Sequence, residues 1–152
     1  MPPQHIVKAF DEQLNSLDAK IAEMGGLAES MLADACDALA KRDADLAAEV
    51  VAGDRKLDNL ENEVNDLALR LLALRQPTAG DLRAVLAALK ISSDLERAGD
   101  LAKNVAKRAI TIAKAPPIAP VTGIVGLGAL VQGRIKTTID AFVSREIGRA
   151  HV

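Results

Sequence analysis

Apolar residues recur along most of this chain in steps of four and three, the spacing of one helix face rather than of a strand. Phe10, Leu14, Leu17, Ile21, Met24, Ala28, Met31 and Ala35 form one such seam and predict a helix over about 5–41, with Gly25-Gly26 as a place where it would kink. Arg42-Asp43-Ala44-Asp45 is a polar connection with capping residues. Leu46, Val50, Gly53, Leu57, Leu60, Val64, Leu67, Leu71 and Leu74 then keep strict spacing and predict a second helix over 45–76. Pro77 stops it, and Thr78-x-x-Asp81 restarts the chain as a capping-box-like signal for a third helix over 79–114. That helix has one face of Ile91, Leu95, Ala98, Ala102, Val105 and Ile112. Its opposite face begins with Leu82, Val85, Leu86 and Leu89 and turns small and acidic at Ser92, Ser93, Glu96, Gly99 and Asp100. A helix apolar on two faces is expected to be sandwiched, with the sandwich opening at that switch.

Pro116, Pro117 and Pro120 make 116–121 a linker, because proline cannot continue a helix. Beyond it the first helix recurs at a constant offset. Gly25 matches Gly128, Leu27 matches Leu130, Leu32 matches Ile135 and Arg42 matches Arg145. The fold class expected is therefore all-α: an up-down three-helix bundle over 5–115, followed over 122–146 by one helix of a truncated second bundle. That fourth helix is expected to pack poorly or project. Residues 147–152 break the apolar pattern, resemble a translated sequencing adapter, and are expected to lie outside the fold as a non-native tail.

Composition supports the helical reading. Of 152 residues only 1% are aromatic, with two Phe and no Trp or Tyr, whereas strands favour aromatic and β-branched side chains. A formal net charge of −2, no basic run and no aromatic stacking platform argue against a nucleic-acid partner. Cys36 is the only cysteine, which excludes an internal disulfide or a cysteine metal cluster. His5 and His151 have no partner at a catalytic spacing, so no catalytic residue is assigned and an enzyme is not expected. The most hydrophobic stretch, 124–131, is too short to cross ~30 Å of hydrocarbon. The N-terminus lacks a signal-peptide pattern, so a soluble intracellular protein with no membrane insertion is expected.

Two acidic pairs carry the chemistry. Glu96 and Asp100 are four residues apart and so sit ~40° apart on one helical face. Asp54 and Asp58 share that spacing, and each pair is equidistant from Pro77. In an antiparallel hairpin Asp58 comes level with Glu96 ~28 Å from the turn, and Asp54 with Asp100 about one helical turn further. Like charges so placed repel, and a cation would reverse the sign. Hard oxygen donors suit Mg²⁺, Mn²⁺ or iron. Two readings stand: solvated acidic stripes partly neutralised by Arg55, Arg97 and Lys103, or a metal site. Asp54, Asp58, Glu61 and Asn65 border the second helix's seam, which sets them beside a helix–helix groove.

Arg75-Gln-Pro77, Asp81-Leu-Arg83 and Asp94-Leu-Glu-Arg-Ala-Gly-Asp100-Leu-Ala-Lys-Asn104 together resemble the PhoU family of phosphate-transport accessory proteins. Phe10-Asp-Glu-Gln-Leu-x-x-Leu17 and the 37–43 ending of the first helix do so too, and the resemblance covers roughly 5–146. It implies two tandem three-helix bundles, of which this chain matches the first and one helix of the second. It also implies a negative regulator of phosphate uptake and phosphate-starvation signalling. Such a protein works between the importer, through its ATPase, and a sensor histidine kinase, as a homodimer in full-length form. Its place would be cytoplasmic, at the periphery of membrane complexes. The resemblance further implies a bound metal cluster. Glu96 and Asp100 match the family's Glu/Asp-x-x-x-Asp motif directly and Asp54 and Asp58 secondarily, with iron, Mn, Mg or Zn all open as the ion. The competing reading is a metal-free, phasin-like helical scaffold.

Overall fold

The computed structural model describes residues 3–74, 78–117 and 122–150, with side chains placed over 8–73, 78–117 and 122–144. Four helices account for almost all of it: α1 (Pro3–Lys41), α2 (Ala44–Leu74), α3 (Ala79–Ala113) and α4 (Thr122–Ala150). There is no strand among the described residues. The proline expected to end α2 falls within 75–77, outside the described residues, as do linker residues 118–121 and the last two of the tail.

α1, α2 and α3 pack against one another as an antiparallel bundle, and α4 packs along α1 alone. The seams of α1 and α2 make the centre. All eight apolar positions from Phe10 to Ala35 are buried, as are Val50, Leu57, Leu60, Val64, Leu67 and Leu71. Burying a Leu or Ile side chain contributes ~1.5–3 kcal/mol, so these two stripes contribute substantially to the drive to fold. Lys20 on α1 bridges Glu63 on α2 at 3.0 Å across the outer edge.

α3 departs from the expected pattern. Its buried face is Ala84, Val85, Ala88, Ser92, Leu95, Gly99, Ala102, Ala106 and Ala109, mostly small residues, which takes Val85 from one expected apolar face and Leu95 and Ala102 from the other. Leu82 and Leu86 are exposed, and Ser92 is 1% exposed. The bundle therefore closes where it was expected to open. Small side chains let the helix axes approach until Leu57 of α2 fills the space above Gly99. Ser92 satisfies its hydroxyl by donating to Leu89 O at 2.9 Å.

The ends are locally encoded. Pro3 opens α1, where a missing N–H costs nothing. Arg42 takes φ 55, left-handed, and Asp43 N donates to Ala38 O at 2.9 Å, the bond that closes a Schellman motif. Asp43 then caps α2 by accepting from Leu46 N at 3.0 Å, and Thr78 caps α3 by accepting from Asp81 N at 3.2 Å. The Arg42 guanidinium donates to Ala113 O at 3.2 Å and also to Ala115 O, satisfying carbonyls left over at the end of α3.

α1 is one continuous helix through Gly25-Gly26, and Gly25 sits under Ile139 of α4, where its missing Cβ admits that side chain. One further expectation changes. α4 continues to Ala150 rather than stopping near 146: Gly148, the one glycine in that last turn, weakens a helix by only ~1 kcal/mol, and no proline intervenes. α4 lies on α1 through Ile135, Ile139 and Phe142, while Ile124, Leu127, Leu130 and Val131 remain exposed.

Candidate metal centre

The seat of Leu57 on Gly99 brings α2 and α3 close enough for the residues flanking it to meet. Asp58 and Glu61 come from one helix and Glu96 from the other. Their carboxylate oxygens lie within 4.8 Å of one another, all half-exposed. Asp100 is exposed one turn beyond Glu96 on the same face.

Crowding shows in the proton affinity. Glu96 is pushed up to about 7 by partial burial, then by the hydrogen bond and charge of Asp100, with Glu61 and Asp58 adding to it. Burial raises Glu61 too, followed by the charges of Asp58 and Asp100. Glu96 and Glu61 resist ionising because burial disfavours the charged form and their neighbours are already negative. The donor set is oxygen only and anionic, which fits a hard cation and offers no thiolate or imidazole.

Of the four residues singled out in the sequence, Asp58, Glu96 and Asp100 share this locus. Asp54 does not. It is 4% exposed, and its Oδ2 accepts from Lys103 Nζ at 2.9 Å while its Oδ1 is buried with no hydrogen-bond partner. The hydrogen bond and charge of Asp54 raise the Lys103 ammonium above its ordinary value. Asp54 is thus turned away from the cluster toward Lys103. An open cleft of about 650 Å³ lies beside it, bounded by Arg55, Asp58, Lys103 and Lys107, so cations flank the carboxylates on that side. Glu61 belongs to neither acidic pair, although the sequence set it on the stripe beside the helix–helix groove. The available signal was its position three residues after Asp58, one turn along the same stripe.

The PhoU domain matches residues 21–109, which takes in all of α2, nearly all of α3 and every carboxylate just described. The chain belongs to the PhoU family. It is 50% identical over 97% of its length to the phosphate-specific transport system accessory protein PhoU homolog of Caulobacter vibrioides (strain NA1000 / CB15N), covering 64% of that protein. It is 43% identical to the homolog of Zymomonas mobilis over 96% of its own length and 62% of the relative's. Serratia marcescens has a PhoU 33% identical to it, matched over 97% of the chain and 60% of the relative. The chain therefore spans less than two thirds of the length of these PhoU relatives. No helix among its described residues is long and apolar enough to cross a membrane.

Proposed function

We propose that this chain is the first bundle of a regulator of phosphate transport, and that it works by binding a metal rather than by catalysis. The observation that carries the reading is the meeting of Asp58, Glu61 and Glu96 within 4.8 Å, in a chain whose relatives are named as phosphate-transport accessory proteins. Three carboxylates at that distance repel, and a divalent or trivalent ion turns the repulsion into binding energy. Glu96 and Asp100 are the primary ligands on α3, with Asp58 and Glu61 opposite. Asp54 holds Lys103 and orders the rim. Oxygen donors favour iron, Mn²⁺ or Mg²⁺ over Zn²⁺.

In the complete protein the function is negative regulation of phosphate uptake and starvation signalling, through the importer ATPase and the sensor histidine kinase, from a cytoplasmic position at the membrane periphery and as a homodimer. α4 is the first helix of a second bundle, and its exposed Ile124, Leu127 and Val131 stand where α1 carries the buried Ile21, Met24 and Ala28.

Thermal melts with and without Mn²⁺, Mg²⁺ or Fe²⁺ test the metal part. A ligand that binds only the folded bundle raises its apparent stability by RT ln(1 + [L]/Kd). Glu61→Gln with Glu96→Gln should abolish that increment while keeping the helical signal. The same pair in the complete protein should relieve phosphate-dependent repression of uptake genes. A parent melt indifferent to every metal would return the cluster to a solvated acidic stripe and favour a metal-free scaffold.

A further inference from the structure

The contact between α1 and α4 obeys a two-fold relation. A Cβ on Gly25 would lie 2.5 Å from Ile139 Cγ1, and one on Gly128 would run into Cys36 Sγ. Between them Gln132 Nε2 donates to Glu29 Oε1 at 3.5 Å, across 103 residues of chain. That separation is also the repeat offset: Gly128 is the counterpart of Gly25, Ile139 of Cys36 and Gln132 of Glu29. Exchanging the two helices turns the Gly25–Ile139 contact into the Gly128–Cys36 contact and maps the Glu29–Gln132 pair onto itself. The counterparts Leu32 and Ile135 are both partly buried here, and Leu39 and Phe142 are both 7% exposed.

A patch that meets its own repeat in this way is close to self-complementary, the property of an isologous interface. A second α1 would therefore fit the face that α4 occupies. Gly25 of each copy would receive Cys36 of the partner subunit, a smaller side chain than Ile139. Only the contact at the axis changes sign. Glu29 with Gln132 is an acceptor with a donor, whereas Glu29 with Glu29 of the partner subunit is two carboxylates. Specific pairing of similar helices commonly depends on such a repulsive element against the wrong partner.

We propose that the α1 face is a docking surface for the α1 of a second copy, and that the Glu29–Gln132 pair is the selector that reserves it for α4. Glu29 disfavours pairing between copies, and Gln132 is the residue that lets α4 escape that penalty.

The test uses the full chain carrying Gly25→Cys, compared with Gly25→Cys plus Glu29→Gln. The new Cβ crowds Ile139 and loosens α4, and the new thiol faces Cys36 of the partner subunit in the alternative pairing. Positions 25 and 36 lie ~16 Å apart along one helix, beyond the reach of a disulfide, so a bond between them joins two chains. Under mild oxidation at equal concentration, Glu29→Gln should raise the yield of dimer linked 25 to 36 by about two-fold or more, with the larger gap at low salt. Equal yields, no linked dimer in either variant, or bonds mapping to 25–25 or 36–36 would overturn the proposal. A second measurement needs no cysteine. Gln132→Glu should speed amide exchange throughout α4 at neutral pH, and adding Glu29→Gln should restore the parent rate. An unchanged rate in Gln132→Glu would also overturn it.

Discussion

Glu96 holds its proton to about 7 against an ordinary 4.5, which makes the pH dependence of this bundle unusual for a chain with many carboxylates. Between those values the folded state binds more protons than the unfolded one, so stability falls as pH rises. Without added metal the chain should melt progressively lower from pH 4.5 to 7, and Glu96→Gln should flatten that slope and melt higher than the parent at pH 8. With metal the trend reverses, because ligation requires the ionised carboxylate: the metal-induced rise in Tm should grow through pH 7. Two glycines make a second residue-scale contrast. Nothing lies within 4 Å of a Cβ added at Gly53, so Gly53→Ala should stabilise by about 0.5–1 kcal/mol in urea titration. At Gly99 the same methyl meets Leu57, which is itself fully buried and has nowhere to turn. Overpacking costs about 1–3 kcal/mol, which outweighs the gain in helix propensity. Gly99→Ala should therefore destabilise by about 1 kcal/mol and, by spreading α2 from α3, shrink the metal-induced increment.

At the scale of the element, the starts of α2 and α3 and the end of α3 rest on side-chain bonds. Asp43→Ala removes the acceptor from the first turn of α2 and should cost about 1 kcal/mol of unfolding free energy. Thr78, Asp43 and the long seams of α1 and α2 were readable beforehand because their signals are large: a capping oxygen at a fixed offset, or a Leu-sized side chain at every fourth and third position. α3 was harder. Its core face is mostly Ala, Ser and Gly, with Val85 and Leu95 the only larger side chains, and small residues gain little by burial, so a pattern weighted by Leu and Ile pointed in part to the flanks. The candidate site divides the same way. Hairpin symmetry places Asp58 level with Glu96, but the rotation of each helix decides who faces whom. That rotation follows from the fit of Leu57 onto Gly99, a tertiary fact. It sends Glu61 into the cluster and Asp54 toward Lys103.

At the scale of the whole molecule, α4 presents exposed apolar side chains. Ile124, Leu127, Leu130 and Val131 are 52%, 61%, 59% and 41% exposed on one helix, and contiguous apolar surface of this sort drives association. The chain should self-associate with rising concentration. Leu127→Gln with Leu130→Gln should reduce this in sedimentation velocity while shifting stability by no more than about 0.5 kcal/mol, the usual range for exposed positions. Equal association in parent and variant would place the contact elsewhere on the bundle.

The clasp that Arg42 makes on Ala113 and Ala115 has a mechanical consequence. A pull on α4 travels down the linker and reaches this guanidinium before it reaches the last turn of α3. The load is then shared with the left-handed corner between α1 and α2 instead of unwinding α3 from its end. Arg42 thus anchors the tether at both carbonyls, and Arg42→Ala would let tension on α4 peel the final turn of α3 first.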